Sequence, residues 1–405
     1  MVTATTGATD VSGPAAATGS TAQLETSTPD VAVAHAVAAA HARSNDEQRA
    51  VSVEVVTAIQ AAGFARHLVP ARWGGRAGGF AELTRAVDQL GQACTSAAWL
   101  ASLFAYSARL GAFLPADGQA ELWANGPDTL IAAALVPGGA ARVTADGWRV
   151  SGAWPYTSGI DLADWALVCV RPTEAGTRAD AGEGPLFVAV PRGVFTVRDS
   201  WRTLGMRATA SHTLILDEAP VASRLTFRSA VAAAGHSPLH PGRPFGVPLR
   251  AISGLTFATP LLGAARGAFV DFCRGLPAGA TTSVSVARAA GDIDAAELLL
   301  HRVAHVADHE EPTPALIARN LRDTALAASY LVDAVDRLVV TAGTAGQDPD
   351  RPLQRFWRDI RTASTHVALR FDKAAVSYLD LLGRADPLDR ADDLPGRAAD
   401  LDRTA

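Results

Sequence analysis

The sequence predicts an α+β, mostly α fold in three parts: an N-terminal helical domain, a middle β-barrel-like domain and a C-terminal four-helix bundle. Three observations carry this reading. Apolar residues recur at helical spacing on both sides of a central stretch. Between Pro127 and Arg228 the pattern changes to short β-rich runs separated by turn residues. The segment 80–114 is too uniformly apolar for a helix that faces water. With 405 residues, 48% of them hydrophobic, the chain can bury a large core.

The elements follow in order. Residues 1–30 are rich in Thr, Ala, Gly and Ser and hold no cation, so they lack the charged and apolar regions of a signal peptide and read as a disordered tail. Residues 31–126 form the N-terminal helical domain. In "EVVTAIQAAGF" the apolar residues Val55, Val56, Ile59 and Ala62 share a helical face, and Gly63 ends the helix in the manner of a C-cap. The Gly-rich "VPARWGGRAGGF" reads as a connector. "FAELTRAVDQLGQACTSAAWLASLFAYSARLGAFL" then reads as a second helical stretch, enclosed by other parts of the protein and lining something.

Residues 127–228 form the β-domain, with the runs "TLIAAAL", "RVTADGWRVSG", "WALVCVR", "LFVAVP", "FTVRDSW" and "HTLILDEAPV". Asp146-Gly147 is its strongest hairpin signal. Residues 229–250, rich in proline and glycine around His236 and His240, form a linker. Residues 251–385 form the bundle from four helical stretches, the last being "QRFWRDIRTASTHVALRFDKAAVSYLDLLG". That stretch puts His366 on a long helix, where Phe356, Ile360, Ala363 and Val367 share a face. Asp359 lies seven residues, or ~10.5 Å, from His366 and cannot orient it directly. Residues 386–405 read as a frayed Asp/Arg-rich tail.

Composition excludes several functions. The net charge is -5 and Lys373 is the only lysine, so the basic stripe of a nucleic-acid binder is missing. No run approaches the ~20 apolar residues of a membrane-spanning helix. Cys94, Cys169 and Cys273 are odd in number, far apart and without metal-ligand spacing, which fits a reducing cytoplasm. His301, His305 and His309 stripe one helix face; neighbouring members could chelate a metal, but all three span ~12 Å of rise, too far for one ion, so a polar stripe with no metal is the expectation. There is no GxGxxG after a strand, and no P-loop, GxSxG elbow or HExxH, so no nicotinamide site is read. In "SGAWPYTSGIDLADWALV" the aromatic residues can stack on a planar ring and Thr157 or Ser158 can hydrogen-bond its edge, although composition alone favours an ordinary turn with an aromatic plug.

"WPYTSGIDLADW" together with "WRTLGMRATASHTLILDEAPV" resembles the middle β-domain of the acyl-CoA dehydrogenase superfamily, whose second segment reads Gly-x-Arg-x-(Ser/Thr) before a Val/Ile-rich strand and an acidic turn. "FATPLLGAARGAF" resembles the opening of its C-terminal bundle, and "AGFARHLVPARWGG" its N-terminal helical domain. The resemblance runs from about residue 35 to residue 385. True acyl-CoA dehydrogenases carry Thr-Glu-Pro-x-x-Gly-Ser-Asp before the hairpin, a catalytic glutamate in the bundle and a Gly-Gly-x-Gly-(Tyr/Phe) loop. Here the first place reads "ALVPGGAARV", without an acid, and the loop reads "TAGTAG". What remains is similar to the reduced-flavin, two-component monooxygenases of this fold, such as 4-hydroxyphenylacetate and dibenzothiophene monooxygenases.

That resemblance implies reduced flavin (FMN or FAD) supplied by a separate reductase, with O2 as co-substrate. The reaction would run through a C4a-hydroperoxide, which lasts only where water is excluded. The small-molecule substrate would be an aromatic or polyketide-like molecule, or an amine nitrogen, in secondary metabolism. His366 and Ser158 become the catalytic residues, with His366 either a base or a donor to the peroxide. Trp154, Tyr156, Thr157, Ser158, Trp201 and Arg207 become the flavin contacts, and Trp99, Phe104 and Tyr106 the substrate contacts. "CTSAAWLASL" resembles the pocket-lining helix of that branch through Ser96 and Trp99. Some of those relatives have a histidine just after the tryptophan, where this chain has Phe104, Tyr106 and Ser107. A homotetramer is the implied assembly. The alternatives are an acyl-CoA dehydrogenase-type FAD oxidoreductase acting on a thioester, and a flavin-free member of the fold.

Overall fold

The computed structural model describes Met1 and residues 30–173, 184–275 and 280–384. Apart from Met1 and Asp30, the tails expected at 1–30 and 386–405 lie outside the described residues. Among the described residues the first helices are α1 (Val31–Gln48), α2 (Val53–Ala61), α3 (Phe80–Gly91), α4 (Thr95–Gly111) and α5 (Ala116–Leu122). Asp30 caps α1 by accepting the amide of Ala32. The apolar stretch read as one helix is two, broken at Gln92–Cys94. Every residue of α4 except Leu103 is buried, which is why its sequence lacks a polar face.

The middle of the chain is one open sheet, not a closed barrel. Its strands are β1 (Ile131–Thr144), β2 (Gly147–Thr157), β3 (Trp165–Thr173), β4 (Leu186–Pro191), β5 (Thr196–Arg198), β6 (His212–Ala222) and β7 (Thr226–Arg228). They lie in the order β5-β6-β2-β1-β3-β4-β7. The Asp146-Gly147 turn joins β1 to β2, pairing Thr144 with Gly147. The barrel expectation fails because helices cover the apolar face. Leu110, Phe113, Leu114 and Leu122 pack into one core with Ile131, Val150, Val168 and Val188, so the sheet needs no opposite wall to bury it.

Two ladder irregularities shape the site. The β1–β3 register shifts between Ala134 and Gly139, and the β2–β6 register shifts between Trp154 and Thr157, where Tyr156 adopts φ 64°. Such breaks release backbone and side chains from a ladder and re-aim them.

The second half begins with the short α6 (Ser229–Ala234), followed by α7 (Leu249–Arg274), α8 (Ala280–His309), α9 (Pro314–Ala342), α10 (Pro352–Ala363) and α11 (Phe371–Arg384). A Cβ on Gly91 would lie 2.9 Å from Gly263 Cα, and one on Gly263 2.6 Å from Gly91 Cα. Thus α3 and α7 cross backbone to backbone at two residues that must lack side chains. The last expected helix is divided, so His366 is not on a long helix. The hydroxyls of Ser364 and Thr365 donate to the carbonyls of Arg361 and Thr362, competing with the helical ladder and ending α10.

Candidate active site

The two bulges, α4, α7, the loop 201–206 and the turn after α10 enclose a cavity of about 760 Å³. That size falls in the ordinary range for small-molecule and cofactor sites. Its walls are mostly apolar and aromatic. Trp99 and Tyr106 come from α4, Trp154 and Tyr156 from β2, Phe257 from α7 and Trp201 from the loop.

On the sheet side a chain of hydroxyls runs inward. Ser158 Oγ accepts Trp99 Nε1–H at 3.1 Å and shares a hydrogen bond with Ser211 Oγ at 2.7 Å. Ser211 Oγ meets Thr209 Oγ1 at 2.7 Å, and Thr209 Oγ1 donates to the Met206 carbonyl at 2.8 Å.

On the bundle side stands His366. Its ring stacks on Phe257 with centroids 3.6 Å apart and meets Trp99 edge-on at 5.8 Å. It caps the short turn Val367–Leu369, with Nδ1 accepting the Ala368 amide at 3.2 Å. In the neutral ring the proton is therefore on Nε2. Burial pushes its pKa down to about 4, so it does not titrate near 6.5 as a solvated imidazole would.

The loop is held by α10. Gly205 N–H donates to Thr362 Oγ1 at 2.9 Å, Met206 N–H to Asp359 Oδ1 at 2.5 Å, and Arg358 to the Leu204 carbonyl at 2.7 Å. A Cβ on Gly205 would stand 2.0 Å from the Arg358 carbonyl oxygen, so only glycine permits this approach. Burial raises the pKa of Asp359 to about 6. Outside the loop, Arg49 donates to the Trp201 and Thr203 carbonyls, and Arg207 pairs with Asp46 at 3.7 Å.

Of the residues expected at the site, His366, Ser158, Trp154, Tyr156, Trp201, Trp99 and Tyr106 come together on the cavity wall. Phe104 does not. It is 1% exposed and packs beneath Gly159, whose Cβ would sit 3.1 Å from its ring. Thr157 is fully buried and donates to the Trp154 carbonyl, fixing the bulge from behind. Arg207 stands beside the loop and off the wall. His301, His305 and His309 belong to no metal-holding cluster among the described residues.

Sequence reasoning missed Phe257, the inner hydroxyls Thr209 and Ser211, and Arg109. Arg109 is fully buried on the wall, donates to the Pro244 and Val247 carbonyls and keeps Nη1 without a partner. A single cation in the apolar run "WLASLFAYSARLGAFL" was its available signal.

Residues 255–371 match the acyl-CoA dehydrogenase C-terminal domain, and residues 22–113 its N-terminal domain. The FADH(2)-dependent resorcinol hydroxylase oxygenase component of Rhizobium sp. (strain MTP-10005) is 31% identical over 82% of this chain and 87% of its own. The chain belongs to the acyl-CoA dehydrogenase family. Solved structures of the family share its architecture. The 3-HSA hydroxylase of Rhodococcus sp. RHA1 superposes with a TM-score of 0.81 at 27% identity, over 86% of this chain and 94% of that one. XiaF from Streptomyces sp., solved with FADH2 and glycerol, gives a TM-score of 0.79 at 27% identity, over 87% and 94%. The catalytic glutamate of the dehydrogenase members finds no counterpart here: no carboxylate lines the cavity among the described residues.

The residues present fit a flavin. A hydroxyl chain and aromatic faces suit a flat heteroaromatic ring with a polar edge. Beside the loop, the Nε atoms of Arg49 and Arg207 are buried without partners. Burial lowers the pKa of Arg49, the Arg207 and Arg202 charges lower it further, and Asp46 and Asp199 oppose them. The Arg49 charge thus sits beside two paired arginines, and a phosphate could take its free Nε.

Proposed function

We propose that this chain is the oxygenase component of a two-component flavin-dependent monooxygenase. It takes reduced FMN or FAD from a separate reductase, uses O2 as co-substrate and hydroxylates a small aromatic or polyketide-like ring. One observation carries the reading: a cavity with aromatic walls and, among the described residues, no carboxylate holds both an uncharged imidazole and a hydroxyl chain. When bound, reduced flavin supplies the electrons that activate O2.

The chain's own residues do the rest. Trp154, Tyr156 and Trp201 would flank the flavin, Ser158 would hold its polar edge, and Arg49 and Arg207 its phosphate. Trp99, Tyr106 and Phe257 would exclude water from the substrate ring. His366 would donate its Nε2–H to an oxygen at the reacting ring, since a ring with a pKa of about 4 is a weak base. The buried Arg109 charge, with no acid on the wall, disfavours a cationic amine and favours an electron-rich, acidic aromatic. A dehydrogenase acting on a thioester would need a carboxylate at this wall. Exposed apolar residues on the bundle helices, Leu298, Val340, Val376 and Leu379, support a homotetramer formed through them. The free cysteines support a cytoplasmic setting.

The test is rapid mixing of the protein and anaerobically reduced FMN or FAD with oxygenated buffer. Reoxidation slowed relative to free flavin, with an absorbing transient, is expected. Reoxidation at the free-flavin rate, or turnover of NADH by the purified protein alone, would sink the reading.

A further inference from the structure

The hydroxyl chain has a direction. Its three hydroxyls have one proton each, and its inner end is a carbonyl, which only accepts. Three bonds need those protons: Ser158 to Ser211, Ser211 to Thr209, and Thr209 to the Met206 carbonyl. All three form at once in a single arrangement, in which every proton points inward. The Met206 carbonyl is a fixed terminus that the Thr209 hydroxyl shares with two N–H donors, Trp201 Nε1–H at 2.8 Å and the Thr209 amide at 3.2 Å. The backbone holds the chain too, with the Gly159 amide donating to the Thr209 carbonyl at 3.0 Å. Ser211 and Thr209 are almost fully buried, at 3% and 1% exposure, so water does not compete for their protons.

At the outer end, Ser158 then has no proton to offer. It already accepts Trp99 Nε1–H, which leaves one lone pair for the cavity. Reversing the chain would let Ser158 donate, but the Thr209 bond to Met206 would be lost. A cavity group that donates to Ser158 therefore keeps one more hydrogen bond in the network than a group that accepts from it. A net hydrogen bond of about 1 kcal/mol corresponds to roughly fivefold in affinity.

We infer that Thr209 and Ser211 are positioning residues that aim the Ser158 lone pair into the cavity. They thereby favour a ligand that donates there, the N5–H of reduced flavin, over oxidised flavin, which offers only a lone pair at that atom. The inference rests on the flavin reading above and adds to it a residue-level cause of redox preference. Both residues also border the cavity, but with their protons engaged inside the chain their effect on the ligand runs through Ser158.

The experiment measures equilibrium binding of FMN and of anaerobically reduced FMN, without substrate or O2, in wild type, Thr209→Val and Ser211→Ala. Thr209→Val keeps the side-chain shape and guards against misfolding, and circular dichroism checks both variants. The preference for reduced over oxidised FMN should fall about fivefold in each variant, and the midpoint potential of the bound flavin should shift accordingly. Equal weakening of both redox states would mean that the hydroxyls only brace the fold, and the inference would be wrong. An unchanged ratio would overturn it as well, while leaving the flavin reading intact. If wild type bound neither state, the flavin reading itself would fall, and this inference with it.

Discussion

His366 lies face to face with Phe257, ring centroids 3.6 Å apart and planes 26° from parallel, while its Nδ1 accepts the Ala368 amide. The two contacts set the chemistry of the ring: stacking removes water from the imidazole, and the amide keeps its proton on Nε2. An NMR titration should show His366 uncharged down to a pKa of about 4, and Phe257→Ala should move it back toward 6.5. If it acts as a donor, His366→Gln, whose amide also donates, should keep more activity than His366→Ala, which should lose about 10²-fold or more. Equal loss in both, with a rate inflection near the imidazole's ordinary range, would instead make it a base.

Phe104 and Tyr106 stand two residues apart on α4 and predict opposite phenotypes. Phe104 is buried under Gly159, so Phe104→Ala should cost about 3–5 kcal/mol of stability in urea unfolding with little change in the choice among substrates. Tyr106 lines the cavity, so Tyr106→Phe should change KM for hydroxylated aromatics and leave the unfolding midpoint nearly unmoved. A stable Phe104→Ala protein with altered substrate choice would return Phe104 to the wall.

The contrast also marks what a sequence can carry. Periodicity located the helices, and Asp146-Gly147 the hairpin, because both signals are local. Ser158, Trp154 and His366 were legible through motif resemblance. The seat of His366 was not, since the helix break depends on Ser364 and Thr365 choosing local carbonyls, and helical periodicity continues past them. The open sheet was hidden for a different reason: strand patterning shows an apolar face but not whether a helix or another strand covers it. Thr209 ends the Gly-x-Arg-x-(Ser/Thr) motif but nothing in that motif assigns it a partner, Ser211 has no pattern, and only tertiary contact joins them to Ser158.

Arg49 is the next residue to test. It donates to the carbonyls of Trp201 and Thr203 on the cavity wall and keeps a buried Nε without a partner. If it helps hold a flavin phosphate, Arg49→Met should weaken FMN by about tenfold, the scale of one charge-assisted hydrogen bond, and leave riboflavin nearly unaffected. The salt dependence of FMN affinity should fall in the same variant. Equal loss for FMN and riboflavin would mean that Arg49 serves only to hold the loop.

Asp359 and His366 bend stability with pH in opposite directions. Unfolded Asp359 loses its proton near 3.8, the buried one near about 6. Between those values the folded state holds more protons, so this residue's contribution to stability falls as pH rises from 4 to 6 and is constant above. The difference amounts to roughly 3 kcal/mol. His366 runs the other way: its pKa drops from 6.5 unfolded to about 4 folded, so the unfolded state holds more protons and stability is lost as pH falls through that window, again by roughly 3 kcal/mol. The two slopes offset each other in the wild type. Asp359→Asn keeps an acceptor for the Met206 amide without the buried charge, so its stability relative to wild type should improve as pH rises from 4 to 6. His366→Gln should gain relative to wild type as pH falls from 7 to 4. Urea unfolding of the three proteins across pH 4–7 measures both differences. Parallel curves would mean that neither group carries its buried-state proton affinity into folding.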